Sequence, residues 1–230
     1  MVTLPTVWLH GAGLSPSTWG EVASGFSDTM LLCLPGHGGA PRLPSPSVEA
    51  FADAVEPMLP DRFGLIAHSL GGMVALELAL RHTQRVDALV LIETVPTVRT
   101  PLAQRVQAFM ALQVMKLLGP RGLARVSGWG QSPAVATHLQ QQLSTLGHAA
   151  MLDALKAAYT YDALARLPVV EARTLILAGR QSRQIAASSQ RMGNAIPGAV
   201  CKVLPGGHLL HIDSAQLVTD AIKEFLIDDR

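Results

Sequence analysis

The chain has 230 residues, of which 49% are apolar and 15% are charged. Such a chain can bury a sizeable core, which excludes a mainly disordered protein. The balance of 18 Lys and Arg against 17 Asp and Glu gives no general electrostatic basis for holding a phosphate backbone. We expect one domain, or one domain with an insertion, whose partner is a small molecule rather than a nucleic acid.

The two cysteines, Cys33 and Cys201, lie in apolar runs typical of strands. We therefore expect buried free thiols and a reducing compartment rather than a disulfide framework. The first residues lack a basic leader before a long apolar stretch, and no window reaches the roughly 18 uninterrupted apolar residues of a spanning helix. These features predict a cytoplasmic protein.

Six short apolar runs, rich in Val, Ile and Leu, recur along the chain with helical patterns between them. Continuous apolar strands that alternate with helices are typical of a parallel sheet covered on both faces. The sequence therefore predicts an α/β, doubly wound fold with a mostly parallel six-stranded sheet. The predicted strands begin at Thr6, Met30, Phe63, Asp87, Arg173 and Ala199.

One stretch, from about Pro96 to Leu167, breaks this alternation, because it has helical patterns and no strand-like run. We predict a core formed by residues 1–95 and 168–230 and a helical cap formed by residues 96–167. Positive charges on helices usually belong to solvated helix faces, and binding of an anionic partner is the alternative for those of the cap. Between Thr97 and Leu152 its charged residues are Arg99, Arg105, Lys116, Arg121 and Arg125, with no acid.

Ser69 directly follows the predicted strand from Phe63 and precedes an apolar helical segment. A serine on such a strand-to-helix turn has its hydroxyl at the carboxyl edge of the sheet, above a helix N-terminus. The small residues Ala67 and Gly71, two positions before and after it, let the tight turn form. This placement suits a nucleophile, and the alternative is a serine that only caps the helix.

His208 follows a Gly-Gly pair after the last predicted strand, which places its imidazole at the same edge as Ser69. It is therefore the candidate general base. His208 and His211 have no third ligand at a recognisable spacing, so we expect no metal site. Asp213, paired with Gln216, predicts a capping box for the last helix.

Three further motifs resemble those of the α/β-hydrolase family in their order and spacing: HGAG at residues 10–13, LPGHG at 34–38 and PGGHLLHID around His208. The resemblance covers nearly the whole chain outside the cap. The chain is similar to compact bacterial carboxylesterases of the pimeloyl-carrier-protein methyl esterase type. Since HGAG begins at residue 10, we expect the usual first two strands of this fold to be absent. The resemblance implies a six-stranded core with a helical cap.

The resemblance also implies acyl transfer without a cofactor, in which backbone amides hold the oxyanion of the tetrahedral intermediate. By the family pattern these are the amides of Ala12 and Leu70, and HGAG as a mere glycine turn is the alternative. We predict that the neighbouring residues His10, Gly11 and His68 border the substrate. The alternative is that the rings of His10 and His37 tie loops together by hydrogen bonds.

The acid of a Ser-His-acid triad is harder to assign. In the family it commonly follows the strand that ends here at Gly179, but that position holds Ser182. Glu93 ends the fourth predicted strand at the catalytic edge, as the acid does in haloalkane dehalogenases. We therefore predict Glu93 as the acid, with Asp162 as second choice. A Glu93 that only supports its loop is the alternative.

These assignments predict a serine hydrolase that cleaves a small or medium acyl ester, with cap side chains of Met110, Met115 and Trp129 lining an acyl pocket. The cap cations add the hypothesis of an anionic substrate or one delivered on an acidic carrier protein. Thioesterase, lactonase, carbon-carbon hydrolase and cofactor-free perhydrolase activities use the same parts and stay open. A ligand-binding protein that has lost turnover is a further alternative, and the sequence does not indicate the oligomeric state.

Overall fold

The computed structural model describes residues 4–99, 102–127 and 132–227. Its sheet has six strands in the order β2-β1-β3-β4-β5-β6, and every neighbouring pair is parallel. All six predicted strands and the predicted α/β class are confirmed. The strands are β1 Thr6–Leu9, β2 Thr29–Leu32, β3 Phe63–His68, β4 Val86–Ile92, β5 Arg173–Gly179 and β6 Val200–Leu204.

Helices cover both faces of this sheet. Alternate strand residues point to opposite faces, so Val7 and Leu9 pack in one apolar cluster while Trp8 packs in the other. Helices α2, α3 and α7 contribute to the first cluster, and α1 and α9 to the second. The helices are α1 Gly20–Ala23, α2 Val48–Val55, α3 Leu70–Arg81, α4 Leu102–Ser127, α5 Pro133–Thr145, α6 His148–Thr160, α7 Arg183–Ala195, α8 Leu210–Asp213 and α9 Ala215–Ile227.

The described residues between β4 and β5 contain three long helices, α4, α5 and α6, which we call the inserted helices. Helix α4 is kinked at Gly119, which has φ 63°, immediately before Pro120. Helix α6 packs against the core through Ala154 and Ala157. In the part of the chain that the structure describes, no helix has the length and apolar character to cross a membrane.

Helix α3 is buried along nearly its whole length, and a buried carboxylate anchors it to the chain between α6 and β5. Glu77 accepts hydrogen bonds from Arg81 and Arg166, at 2.9 and 2.7 Å. Burial raises the pKa of the Glu77 carboxyl, but the hydrogen bonds from the two guanidinium groups outweigh burial and leave that pKa below its usual value. The ion pair with Arg166 therefore holds α3, which begins directly after Ser69.

The first turn of α3 approaches β1 so closely that only glycine fits. A Cβ at Gly71 would lie 2.5 Å from the carbonyl oxygens of both Leu9 and His10. Since neither is a movable side chain, we expect Gly71→Ala to lower the free energy of unfolding by about 1–3 kcal/mol in urea titrations. Gly20→Ala is the matched control, because nothing lies within 4 Å of that Cβ. Equal stabilities of the two variants would contradict this close approach.

Candidate active site

Ser69 lies at the turn between β3 and α3 in a strained backbone conformation, with φ 52° and ψ −117°. A non-glycine residue in such a region costs of order 1–3 kcal/mol and persists only where its surroundings hold it. Here the Ser69 amide donates to the carbonyl of Ile92 at 3.0 Å, and Gly72 and Met73 donate to the carbonyl of Ser69. These bonds leave the half-buried Ser69 side chain at the carboxyl edge of the sheet.

The structure brings together the three residues that we predicted as a triad. Nε2 of His208 lies 3.1 Å from Oγ of Ser69, and Nδ1 of the same ring lies 3.3 Å from Oε2 of Glu93. The three side chains come from the ends of β3 and β4 and from the loop after β6. The Glu93 side chain is fully buried, whereas the His208 side chain is 45% exposed. The ring therefore joins a buried carboxylate to a hydroxyl near solvent.

This geometry fixes the tautomer of His208. A carboxylate only accepts hydrogen bonds, so the proton of a neutral His208 ring lies on Nδ1 and is donated to Glu93. Nε2 is then an acceptor, and the Ser69 hydroxyl donates to it. The ring is thus ready to take up the serine proton.

Glu93 is held by its backbone as well as by its side chain. Its φ is 50°, and its amide donates to the carbonyl of Leu177 at 2.9 Å. Its Oε1 accepts from the amide of Gly179 at the end of β5, while Oε2 faces His208. Both carboxylate oxygens therefore have a donor, and the orientation toward His208 is fixed.

The other two positions considered for the acid lie elsewhere. Asp162 is exposed, and its carboxylate accepts from the amide of Leu164 at 3.1 Å. Ser182 is the N-cap residue of α7, and its amide donates to the carbonyl of Gly179. Among the described residues, Glu93 is the carboxylate that contacts His208.

The two amides predicted as the oxyanion hole are free of protein acceptors within the described residues. In the turn after β1, Gly13 donates to Nε2 of His37 at 3.1 Å and Leu14 donates to the carbonyl of Gly11. The amide of Ala12 between them makes no such bond. The amide of Leu70 opens α3, where the first helical amides have no backbone acceptor. Both remain available for an oxyanion.

His10 braces this turn from within the core. Its side chain is fully buried, its Nδ1–H donates to the carbonyl of Gly11 at 2.9 Å, and its Nε2 accepts from the amide of Leu34 at 3.1 Å. Burial, followed by the neighbouring His37, lowers the pKa of His10 to about 3. These contacts fit the alternative interpretation, in which His10 ties loops together, and not a side chain that borders the substrate, since both ring nitrogens are occupied by the backbone.

His68 also holds backbone instead of facing the substrate, which corrects a second expectation. Its ring is 2% exposed, and Nε2–H donates to the carbonyl of His208 at 2.8 Å. Burial, followed by the neighbouring rings of His211 and His208, lowers the pKa of His68 well below 6.5. Gly11 is buried against this ring, since a Cβ on Gly11 would lie 2.5 Å from Nδ1 of His68.

His211, a further buried histidine, connects the loop of His208 to helix α5. Nε2 of His211 lies 2.8 Å from Oγ1 of Thr18, and the same hydroxyl lies 2.9 Å from Nε2 of His138 on α5. Burial, followed by the neighbouring His138 and His208, lowers the pKa of His211 to about 3. Sequence reasoning considered His211 only as a metal ligand and missed this bridge, because the partners are far apart in the chain.

These buried rings predict acid sensitivity. Their pKa values are lower in the folded protein than in the unfolded chain, so below about pH 6.5 the unfolded chain binds more protons and stability is lost as pH falls. We expect the unfolding free energy, measured in urea, to fall by up to about 1.4 kcal/mol per buried ring per pH unit in the acid range. The slope should be shallower in His211→Gln, and the exposed His148→Gln should keep the wild-type slope. Equal slopes in the two variants would contradict the prediction.

The predicted acyl pocket is described only in part. Met110 on α4 is 54% exposed, so its side chain does not line a closed pocket. The Met115 side chain and Trp129 lie outside the described residues. A cavity of about 150 Å³ lies between the turn after β1 and α5, lined in part by Leu14, Ser15 and Gln142. In the described part of the chain, no cluster of three or more His, Cys, Asp or Glu side chains is arranged to hold a metal.

The parallel sheet and the Ser69, His208 and Glu93 side chains at its edge are typical of the α/β hydrolases. The family model described as the alpha/beta hydrolase family matches residues 6–221, and the chain belongs to that family.

Within this family, the chain is similar to several esterases. The chain is 28% identical over 206 residues to a pimeloyl-[acyl-carrier protein] methyl ester esterase of Nitrosomonas europaea, a match that covers 76% of this chain and 75% of that protein. It is 45% identical over 93 residues to the enzyme of the same name from Aromatoleum aromaticum, but this match covers only 39% of this chain and 37% of that protein. A thermophilic esterase from Thermogutta terrifontis has the same fold, with a TM-score of 0.82 and 25% identity over 97% of this chain and 89% of its own.

Proposed function

We propose that the protein is a serine hydrolase that cleaves a small or medium acyl ester through Ser69, His208 and Glu93. One observation carries this proposal: a continuous line of contacts runs from Oγ of Ser69 through the His208 ring to the buried Glu93 carboxylate, at 3.1 and 3.3 Å. A ligand-binding protein that had lost turnover would have no need to keep this line together with the strained turn at Ser69.

In the first half of the reaction, His208 Nε2 removes the Ser69 proton while Oγ attacks the ester carbonyl. The carbonyl oxygen becomes an oxyanion, and the free amides of Ala12 and Leu70 hold it. The His208 ring is now an imidazolium, which the Glu93 carboxylate stabilises. The proton on Nε2 then passes to the leaving alcohol as the bond between carbonyl carbon and alcohol oxygen breaks.

In the second half, water takes the place of the alcohol. His208 Nε2 accepts a proton from the water as its oxygen attacks the acyl carbonyl, and the same two amides hold the second oxyanion. Collapse returns the proton to Oγ of Ser69 and releases the carboxylic acid. The cycle needs no cofactor, because each proton that His208 takes up is returned within the same half-reaction.

A fluorophosphonate probe tests this proposal without knowledge of the natural ester. The probe reacts with a serine that an imidazole activates, so the wild-type protein should be labelled covalently at Ser69. Labelling should disappear in Ser69→Ala and weaken sharply in His208→Ala, while circular dichroism checks that the variants fold. A folded wild-type protein that is not labelled would favour a binding protein over an enzyme.

The relatives and the charges of residues 96–167 support a more specific substrate. We propose that these residues form a cap over the active site and that the ester is a methyl ester carried on an acyl-carrier protein, the substrate class in the names of the two curated relatives. The cap cations suit a carrier protein that is acidic. Arg105 and Lys116 on α4 are exposed, and no acid lies between Thr97 and Leu152. An acidic partner would meet cations without a competing acid on this stretch of sequence.

The cap cations therefore predict a substrate-dependent loss. In Arg105→Ala/Lys116→Ala, kcat/KM for the carrier-linked ester should fall about 5- to 30-fold, because each exposed ion pair contributes up to about 1 kcal/mol. Hydrolysis of neutral p-nitrophenyl esters should stay within about twofold, and 0.5 M salt should abolish the difference. The exposed Arg191→Ala is the matched control. An equal change on both substrates would contradict a carrier that binds the cap.

A further inference from the structure

Asp213 ends α8, five residues after His208, and both of its carboxylate oxygens are hydrogen-bonded. Oδ2 accepts from the amide of Gly207 at 2.9 Å, and Oδ1 accepts from the hydroxyl of Ser132 at 2.8 Å. Within the described residues, no Lys or Arg lies within ion-pair distance of this carboxylate. The predicted capping box with Gln216 is wrong, because the carboxylate faces the loop before it and Gln216 donates to Asp220 instead.

The Gly207 contact acts directly on the loop that carries His208. Because the His208 side chain is 45% exposed, packing alone does not hold it. Its orientation depends on its contacts with Ser69 and Glu93 and on the backbone that carries it. That backbone is held at two adjacent residues: Asp213 accepts the amide of Gly207, and His68 donates to the carbonyl of His208 at 2.8 Å. Loss of the first contact removes one of these two anchors.

The Ser132 contact belongs to α5, one of the inserted helices. Ser132 is the N-cap residue of α5, and its hydroxyl oxygen accepts from the amide of Val135 at 3.3 Å while its proton is donated to Asp213. Helix α5 also reaches the core through Gln142, whose side chain accepts from Ser15 at 2.7 Å. A single carboxylate thus contacts both the N-terminus of α5 and the loop of His208.

We propose that Asp213 is a positioning residue that couples the placement of α5 to the orientation of His208. The inference rests on the proposed function, since it assumes that His208 is the general base for Ser69. When α5 is docked, the Ser132 hydroxyl holds the carboxylate in the orientation that accepts from Gly207. When α5 moves away, Oδ1 loses this donor, the carboxylate turns to water, and the His208 loop loses an anchor.

Four variants test the coupling with neutral p-nitrophenyl esters. Asp213→Ala should lower kcat about 10- to 100-fold with little change in KM, because a small misplacement of a reacting group is costly. Asp213→Asn should restore kcat to within about threefold of wild type, since the amide oxygen accepts from Gly207 and the amide NH₂ donates to Ser132. Ser132→Ala should give a smaller loss, and the exposed Asp220→Asn should behave as wild type.

The double variant and two independent readouts decide the outcome. Asp213→Ala/Ser132→Ala should lose no more activity than Asp213→Ala alone, because both changes break one connection. Amide hydrogen exchange at Gly207 should accelerate in Asp213→Ala, and fluorophosphonate labelling of Ser69 should slow in parallel with kcat.

Three results would overturn the proposal. Additive losses in the double variant would exclude coupling. Faster exchange at Gly207, or a lower melting temperature, with an unchanged labelling rate would reduce Asp213 to a structural role and leave the proposed function intact. A wild-type protein that is neither labelled nor active would refute the proposed function itself, and with it the reaction that Asp213 serves.

Discussion

His208→Ala should lower kcat for ester hydrolysis by about four to six orders of magnitude, and Ser69→Ala should have an effect of the same size. The expected loss is large because Nε2 of His208, 3.1 Å from Oγ of Ser69, is the proposed base for both half-reactions. Without the ring, the serine proton has no acceptor and the leaving alcohol has no proton donor. Steady-state kinetics with p-nitrophenyl acetate measure the loss.

The combination of the two substitutions sharpens this prediction. Groups that act as a unit are not additive, so Ser69→Ala/His208→Ala should be no slower than either single variant. The exposed His148→Ala on α6 is the matched control for the loss of an imidazole and should keep wild-type kcat. A Ser69→Ala variant with more than about one hundredth of wild-type kcat would place the nucleophile elsewhere.

The sheet could be predicted from the sequence because local apolar pattern and tertiary burial agree there. Each strand of a parallel sheet is buried on both faces, so the runs from Phe63 and Arg173 are apolar at almost every position. Ser69 and His208 were predictable for a related reason. Each follows a strand of known direction, and parallel strands end at the same edge of the sheet.

The position of Glu93 was predictable by the same argument, because it also follows a strand of known direction. The contacts of its side chain were not predictable. Its side chain is held by the amide of Gly179, a residue 86 positions away. No local pattern indicates which backbone amide a strand-end carboxylate will meet. The position of Glu93 at the carboxyl edge of the sheet was therefore predictable from the direction of its strand, whereas the orientation of its carboxylate was not.

The tertiary polar contacts around the loop of His208 were beyond sequence reasoning, because they depend on how the folded chain packs and not on a local pattern. A capping box is a local pattern, and Asp213 with Gln216 matches it, yet the tertiary donors Gly207 and Ser132 take the carboxylate. In the same way, His68 was predicted to border the substrate because it precedes Ser69. Its ring instead lies inside the core, where the carbonyl of His208 accepts its proton.

Glu93→Gln should lower kcat by about 10⁴-fold, roughly 5.5 kcal/mol, without unfolding the protein. The contacts of the two carboxylate oxygens explain the size. The position of Oε1 faces the amide of Gly179, so the carbonyl oxygen of a glutamine occupies it and the NH₂ group faces His208. Nδ1 must then accept a hydrogen bond, which moves the ring proton to Nε2. In that tautomer the ring cannot accept the Ser69 proton.

Asp162→Asn is the matched control, because it neutralises an exposed carboxylate by the same isosteric change. It should keep kcat within about twofold of wild type, as a surface substitution does. Circular dichroism and the melting temperature would separate a catalytic loss from a folding defect. A loss confined to Asp162→Asn, or a folded Glu93→Gln with more than a tenth of wild-type kcat, would contradict the assignment. If Glu93 only supported its loop, Glu93→Gln would lower the melting temperature and leave kcat nearly unchanged. A large loss of kcat with a small loss of melting temperature therefore distinguishes a member of the triad from a structural residue.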